Sequence, residues 1–381
     1  MTEASLYVHV PFCAGKCDYC DFYSLPLGQD DPRIERYVEI LLLEGEKLFQ
    51  KYRPESIPSL YIGGGTPSLL GPRLITHLLN GLSDLVSRYS STPEEITIEA
   101  NPESADEAFL EAARQGGVTR LSLGVQSFHG PSRRAVNRIG DEALLPGRLA
   151  LAAEYFPDAF SVDLISGLPL QDEKILLEDI AGALSYSPAH VSFYALTPEA
   201  ETPLANRNES LPFGDEADAL WLAGREALEK AGYAQYEVSN FCKSGKESRH
   251  NIRYWQMRSW LGLGPAASGT IIDEASGTGI RHSFSSDTER FIPVIEELDS
   301  LNLIKESFLM GFRYIEGPDE ELFQQRFHRS MEELIPKTFF KWQEQLQKDK
   351  CALTKDGLLL LNSFLLDVFQ ELDLSCSELD F

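Results

Sequence analysis

Cys13, Cys17 and Cys20 place three thiols within eight residues, in the spacing Cys-x3-Cys-x2-Cys. Cysteine thiolates are ligands of zinc and of iron–sulfur centres. Three of them fill three corners of a [4Fe–4S] cube and leave the fourth iron without a protein ligand, open to a small molecule. A structural zinc site needs a fourth ligand. His9, four residues before the triad, is the nearby candidate, but it falls in an expected strand and points away unless the loop folds back. The count of ligands therefore favours the open cluster, with zinc as the other reading. Cys242, Cys351 and Cys376 have no partner at useful spacing. The first two read as small, partly buried residues and Cys376 as an exposed thiol in an acidic tail. His77, His129, His190, His282 and His328 are isolated and read as structural or surface residues.

Two further places carry chemistry. Gly63-Gly64-Gly65-Thr66-Pro67 is a run in which backbone N–H groups can approach a ligand closely. Glu99, in Ile98-Glu99-Ala100-Asn101-Pro102, can accept ribose hydroxyls, a common use of an acidic side chain at a strand end.

The elements that must position these residues alternate. Leu6–Val10, Ser59–Ile62, Ile96–Glu99, Arg120–Val125, Phe160–Ile165 and Val191–Tyr194 read as strands, several of them nearly continuous apolar runs expected to be buried on both faces. Residues 34–51, 73–89, 105–115, 131–156, 173–185 and 215–231 read as helices. Six β/α units imply a parallel sheet with right-handed crossovers, as an open doubly wound sheet or a partial barrel. In both, chemistry gathers at the carboxyl ends of the strands, where Cys13, Gly63–Gly65, Glu99, Gln126 and Tyr194 fall, with Asp163 inside the fifth strand. The pattern changes past residue 235. Three stretches are expected: 1–235 as the β/α domain, 236–286 as an aromatic and Gly-rich connecting region with a hairpin near 271–286, and 287–381 as a helical domain. In the last, 291–310, 319–327, 335–348 and 358–370 read as helices, and Leu353 to Gly357 resembles the wing-and-helix end of a small winged-helix module.

The chain has 381 residues, 34 Lys and Arg against 59 Asp and Glu, and a net charge of −25. Such a surface repels phosphate backbones, so nucleic acid is not an expected partner. No uncharged run reaches the length of a membrane span, and Met1–Leu6 is polar. A cytoplasmic protein with reduced thiols is expected.

The triad, with Tyr19 before its third cysteine, resembles the signature of the radical S-adenosylmethionine (SAM) superfamily. That resemblance implies a partial (β/α)6 barrel, a [4Fe–4S] cluster on Cys13, Cys17 and Cys20, and SAM held through its amino and carboxylate groups on the open iron and cleaved to a 5′-deoxyadenosyl radical on reduction. Tyr7–Cys13, Gly63–Leu70, Leu121–Phe128 and Val162–Pro169 narrow it to the oxygen-independent coproporphyrinogen III oxidase family and its haem-chaperone branch, HemW. It implies that Tyr7, Gly64 and Glu99 contact cluster-bound SAM. It also implies that Tyr19, Gly65, Thr66, Gln126, Arg138, Asp163 and Ala195 match positions that hold a second SAM in the oxidase. The oxidase typically carries a fourth cysteine where this chain has Phe22, and His250-Asn251-Ile252-Arg253-Tyr254-Trp255 resembles the chaperone's haem-linked motif. The branch implies haem binding, with His250 as axial ligand and Tyr254 and Trp255 over the ring, delivery to haem-acceptor proteins, and a role for the cluster and SAM in transfer or in forming a homodimer. The alternative is the oxidase, a radical decarboxylation of porphyrinogen propionates. One departure is Ser268, where the family often has histidine.

Overall fold

A computed structural model describes residues 3–89, 92–207 and 211–375. Cys376 and the acidic tail lie outside the described residues. Six parallel strands follow the chain: β1 Ser5–Val10, β2 Ser59–Gly64, β3 Glu95–Ala100, β4 Arg120–Gln126, β5 Phe160–Ser166 and β6 His190–Ala195. Each lies within two residues of its expected ends. Helices fill the crossovers: α1 Pro32–Tyr52, α2 Gly71–Ser87, α3 Glu107–Gln115, α4 Gly130–Ala135, α5 Leu145–Tyr155, α6 Glu173–Leu184, and α7 Asp215–Lys230 after β6.

The strands are two-faced. Leu6, Val8, Val10, Leu60, Ile62, Ile98, Leu121, Leu123, Val162, Leu164, Val191 and Phe193 are buried in the main core. Full burial of such side chains stabilises by about 1.5–3 kcal/mol each, so this outer face holds the barrel to its helices. The alternate positions, by the two-residue period of a strand, form a polar lumen. On its wall Tyr61 bonds Glu99 of the neighbouring β3, and Ser122 bonds Asp163 of the neighbouring β5. The strands are buried on both faces, as expected, but the inner face is polar rather than apolar, which suits a partial barrel rather than a flat doubly wound sheet.

The sheet continues at both ends. β7 Asn240–Cys242 runs antiparallel to β6, and β8 Trp260–Leu263 runs parallel to β1 on the side away from β2. The hairpin of β9 Ser268–Asp273 and β10 Thr278–Phe284 follows, and β11 Pro293–Leu298 forms the edge. Between β7 and β8 lies a short helix, α8 Arg249–Trp255.

Three expected helices are corrected. Residues 131–156 form α4 and α5 with a break between them. There Asn137 has φ 53° and Gly140 φ 94°, and the Asp141 carboxylate caps the next turn. The expected helix 291–310 begins as strand β11. Pro293 opens the strand, and the helix α9 Ser300–Gly311 starts only where Asp299 caps the N–H of Asn302. The helix expected over 335–348 stops at Lys341. The C-terminal region adds α10 Glu320–Phe327 and a last helix, α11 Leu361–Ser375, around Phe308, Phe312, Phe323, Trp342 and Phe364. Thr354 caps the turn before α11 by accepting from the Gly357 N–H, next to a Leu346–Leu353 bridge. Arg326 of α10 is buried and ties this layer to the sheet through the Glu274 carboxylate and the Met257 carbonyl.

Candidate functional site

The cysteine loop leaves the carboxyl end of β1 and is pinned by the α4–α5 break. Asp18 N–H donates to the Val136 carbonyl, and Asn137 Nδ2 donates to the Lys16 carbonyl. Cys17 is buried, and Cys13 and Cys20 are half-buried. Burial raises the Cys13 thiol and pushes the Cys20 thiol up to about 11. Thiolates here need a cation to compensate them. Donors already point at the sulfurs. Thr66 Oγ1 donates to Cys13 Sγ at 3.4 Å, and Arg138 Nη1 lies 3.8 Å from Cys17 Sγ. Among the described residues, no three His, Cys, Asp or Glu side chains converge on a position for one metal ion. A cube makes no such demand, since each thiolate binds its own iron. His9 is no zinc ligand in this arrangement. Its Nδ1 is 3.0 Å from the Tyr7 hydroxyl and its Nε2 3.0 Å from the Tyr23 carbonyl. The donor set fits a cluster.

Gly64 and Gly65 bring β2 against the loop. Gly64 has φ 107°, and a Cβ there would lie 2.5 Å from the His9 ring. A Cβ on Gly65 would meet the Phe12 carbonyl oxygen at 2.6 Å. Side chains at either position would fill this cradle. Gly64 N–H donates to Glu99 Oε2 at 3.0 Å, and the Tyr61 hydroxyl donates to Oε1 at 2.7 Å. Burial raises the Glu99 carboxyl to about 7, against the Tyr61 bond, with Asp163 adding to the rise. Asp163 is likewise raised by burial to about 6, restrained by bonds from Ser192 and Ser122. Tyr7 sits beside Tyr61 on the same face, ring centroids 6.2 Å apart.

Arg138 is delivered by the break. Its Nη2 donates to Asn101 Oδ1 at 2.8 Å and to the Gly124 carbonyl, and Asn101 Nδ2 donates to Thr66 Oγ1 at 2.9 Å. Burial would lower the guanidinium, but Tyr19 and Cys17 outweigh it and hold it charged. Arg138 Nε has no protein partner. Gln126 has φ 70° where the β4–β5 ladder shifts register, a strained conformation for a residue with a Cβ. Tyr19 packs on the small cluster of Val136, Ile165, Leu168 and Leu204. Ala195 closes β6 at the rim, paired with Ser166. One framework thus joins Cys13, Cys17, Gly64, Thr66, Glu99 and Arg138. Sequence reading missed two of its members. Tyr61 was legible as the lumen neighbour of Gly63, and Asn101 lay in the Glu-Ala-Asn-Pro run already singled out for Glu99.

His250 lies at the amino-terminal end of the lumen, its ring centroid 5.1 Å from that of Tyr61. Its Nδ1 is 2.9 Å from the Ser59 hydroxyl, at the first residue of β2, roughly 17 Å of strand from Gly64. Its Nε2 is 3.0 Å from the Tyr254 hydroxyl. The ring is buried, and burial lowers it to about 3, so it is neutral. Both nitrogens are engaged, and this geometry presents no free lone pair to an iron. The helix that carries it, α8, is the floor of the lumen. Glu95 accepts the N–H groups of Arg249 and His250, and Arg253 reaches the Ser5 hydroxyl. A cavity of about 300 Å³ above this floor is lined by Tyr7, Tyr61, His250, Asn251, Tyr254 and Ser268.

Residues 7–180 match the Radical SAM superfamily. The heme chaperone HemW of Haemophilus influenzae is 31% identical over 376 residues, spanning 95% of this chain and 96% of the relative. The chain belongs to the HemW family. The HemW of Escherichia coli is 32% identical over 372 residues, 95% of this chain and 97% of that protein. The mitochondrial radical S-adenosyl methionine domain-containing protein 1 of Bos taurus is 34% identical over 85% of this chain and 76% of its own. The structure of coproporphyrinogen III oxidase from Escherichia coli superposes with a TM-score of 0.78 over 96% of this chain and 90% of that one, at 20% identity, which establishes the shared radical SAM fold. No helix among the described residues is long and apolar enough to cross a membrane.

Proposed function

We propose that this HemW family member binds a [4Fe–4S] cluster, SAM and haem, and delivers haem to acceptor proteins. The observation that carries the reading is near-full-length similarity to heme chaperones, joined to a loop whose sulfurs already receive donors from Thr66 and Arg138. Phe22, where the oxidase has a cysteine, is 63% exposed and supplies no ligand.

Cys13, Cys17 and Cys20 hold the cluster in this reading, which when bound and reduced supplies an electron to the SAM sulfonium. The chain's own groups position SAM. Gly64 keeps the β2 edge clear for its amino group. Glu99, oriented by Tyr61 and the Gly64 N–H, retains lone pairs for ribose hydroxyls. Arg138, Gln126, Asp163, Thr66, Gly65, Tyr19 and Ala195 line the rest of the site in this reading, and a second SAM held by them is a further part of the proposal. The acidic surface favours acceptors with a basic or apolar dock.

The test is an anaerobic assay of reconstituted protein with SAM, reductant and coproporphyrinogen III, beside a hemin titration. Hemin binding without protoporphyrin formation is expected. Turnover that disappears in Cys17→Ala would make the protein an oxidase instead.

A further inference from the structure

Two of the three loop sulfurs face a side-chain donor. Thr66 Oγ1 lies 3.4 Å from Cys13 Sγ, and Arg138 Nη1 lies 3.8 Å from Cys17 Sγ. The donors come from distant parts of the chain, Thr66 from the turn after β2 and Arg138 from the α4–α5 break. One side chain lies between them. Asn101, the residue after β3, donates from Nδ2 to Thr66 Oγ1 at 2.9 Å and accepts at Oδ1 from Arg138 Nη2 at 2.8 Å. The orientation of this amide is forced. A guanidinium carries donors only, so Oδ1 must face Arg138 and Nδ2 must face Thr66. The Thr66 oxygen then receives a proton from Asn101, and its own proton is left to point at Cys13 Sγ. A single amide thus sets the direction of both donors.

The backbone of Asn101 is fixed as well. Its N–H donates to Ser68 Oγ at 3.1 Å, and its carbonyl accepts from the Ser104 and Ala105 N–H groups. Gly124 of β4 leaves the space the pair needs, since a Cβ there would lie 3.0 Å from Asn101 Oδ1 and 3.3 Å from Arg138 Nη2. Thr66 and Arg138 are buried, so water competes little for these bonds. A reduced iron–sulfur cluster carries one more negative charge than the oxidised one. Donors aimed at its sulfurs therefore favour the reduced form, and such bonds are among the things that set its reduction potential. We propose that Asn101 is a positioning residue for the cluster, aiming the Thr66 hydroxyl and the Arg138 guanidinium at two of its thiolates and so making it easier to reduce. The inference rests on the cluster-binding reading above and adds to it how this chain sets the potential.

The experiment is a redox titration of the full-length, anaerobically reconstituted protein without SAM, read by electron paramagnetic resonance of the reduced cluster. Asn101→Asp keeps the size of the side chain and reverses its polarity toward Thr66. The carboxylate accepts the Thr66 proton, draws it away from Cys13 and neutralises Arg138. This variant is expected to retain cluster iron and sulfide. Its ratio of reduced to oxidised cluster at a fixed solution potential is expected to fall at least tenfold, a shift of about 59 mV for a one-electron couple. Thr66→Val removes the hydroxyl alone and is expected to lower the ratio severalfold, whereas Thr66→Ser keeps the hydroxyl and is expected to titrate with the parent. In the Thr66→Val background the Asn101→Asp shift is expected to shrink, because part of it acts through the missing hydroxyl. A parental potential in Thr66→Val, or one in Thr66→Ser as low as in Thr66→Val, overturns the inference even where Asn101→Asp does not fold. An unchanged potential in folded Asn101→Asp, or strictly additive shifts in the double variant, overturns it too. All of these leave the cluster reading standing. A parent protein that takes up no iron and sulfide overturns both.

Discussion

Glu99 and Asp163 share one lumen and are both held above the usual carboxylate range, chiefly by burial. Their folded forms therefore bind protons more tightly than the unfolded chain does. The stability they contribute is complete below about pH 4 and is lost as pH rises through about 6 to 7. For Glu99, a rise from 4.5 to about 7 corresponds to at most on the order of 3 kcal/mol. The unfolding free energy of the SAM-free protein is expected to fall between pH 5 and pH 8, and Glu99→Gln to flatten that slope. Equal slopes in urea melts of the two proteins would sink the assignment. A cationic ligand beside these carboxylates would favour their ionised forms, so SAM affinity is expected to rise over the same interval.

Helix α8 is short, and an isolated helix of seven residues has no stability of its own. It exists because its first N–H groups are collected by the Glu95 carboxylate and the Ser248 hydroxyl. Glu95→Ala leaves the N–H groups of Arg249 and His250 without their acceptor and removes the carboxylate facing Arg120 at 4.0 Å. The expected cost is about 3 kcal/mol or more, seen as a lower urea midpoint. A midpoint within error of the parent would show that solvent reaches the floor.

The same element shows what the sequence could and could not tell. The six strands and the cysteine loop were legible because period-two patterning and ligand spacing are local signals. The fate of His250 was not. Whether its nitrogens are free depends on Ser59, 191 residues away, and on the pairing of β2 with the floor. The α4–α5 break was written locally, in Asn137, Gly140, Asp141 and Pro146, but a helical period running through it masked the stop. Burial on both sides of the strands was legible in their nearly continuous runs, and the polarity of the inner side in the alternation of Ser5, Tyr7 and His9 in β1.

At the scale of the molecule, the C-terminal layer is joined to the sheet by a buried arginine. Arg326 carries two bonds to Glu274 and one to the Met257 carbonyl. Arg326→Ala is expected to lower stability by about 2–4 kcal/mol, through lost packing and an unpaired carbonyl, since the half-exposed Glu274 regains water. Tryptophan fluorescence and far-UV circular dichroism should then cease to report one coincident unfolding transition. Coincident curves in the variant would mean that other contacts carry the coupling.

Strand β11 ends the sheet with one side of its backbone unpaired and with Ile292, Val294 and Ile295 about half exposed. Such an edge is a template on which further chains can stack. Pro293 lacks the N–H that stacking would use, and Glu296 and Glu297 set two like charges along the same ribbon. These three residues are expected to oppose self-association rather than to govern folding. Replacing both glutamates with glutamine is expected to leave the melting temperature nearly unchanged while static light scattering at high protein concentration rises with time. A variant that stays clear would place the barrier to self-association at Pro293 alone.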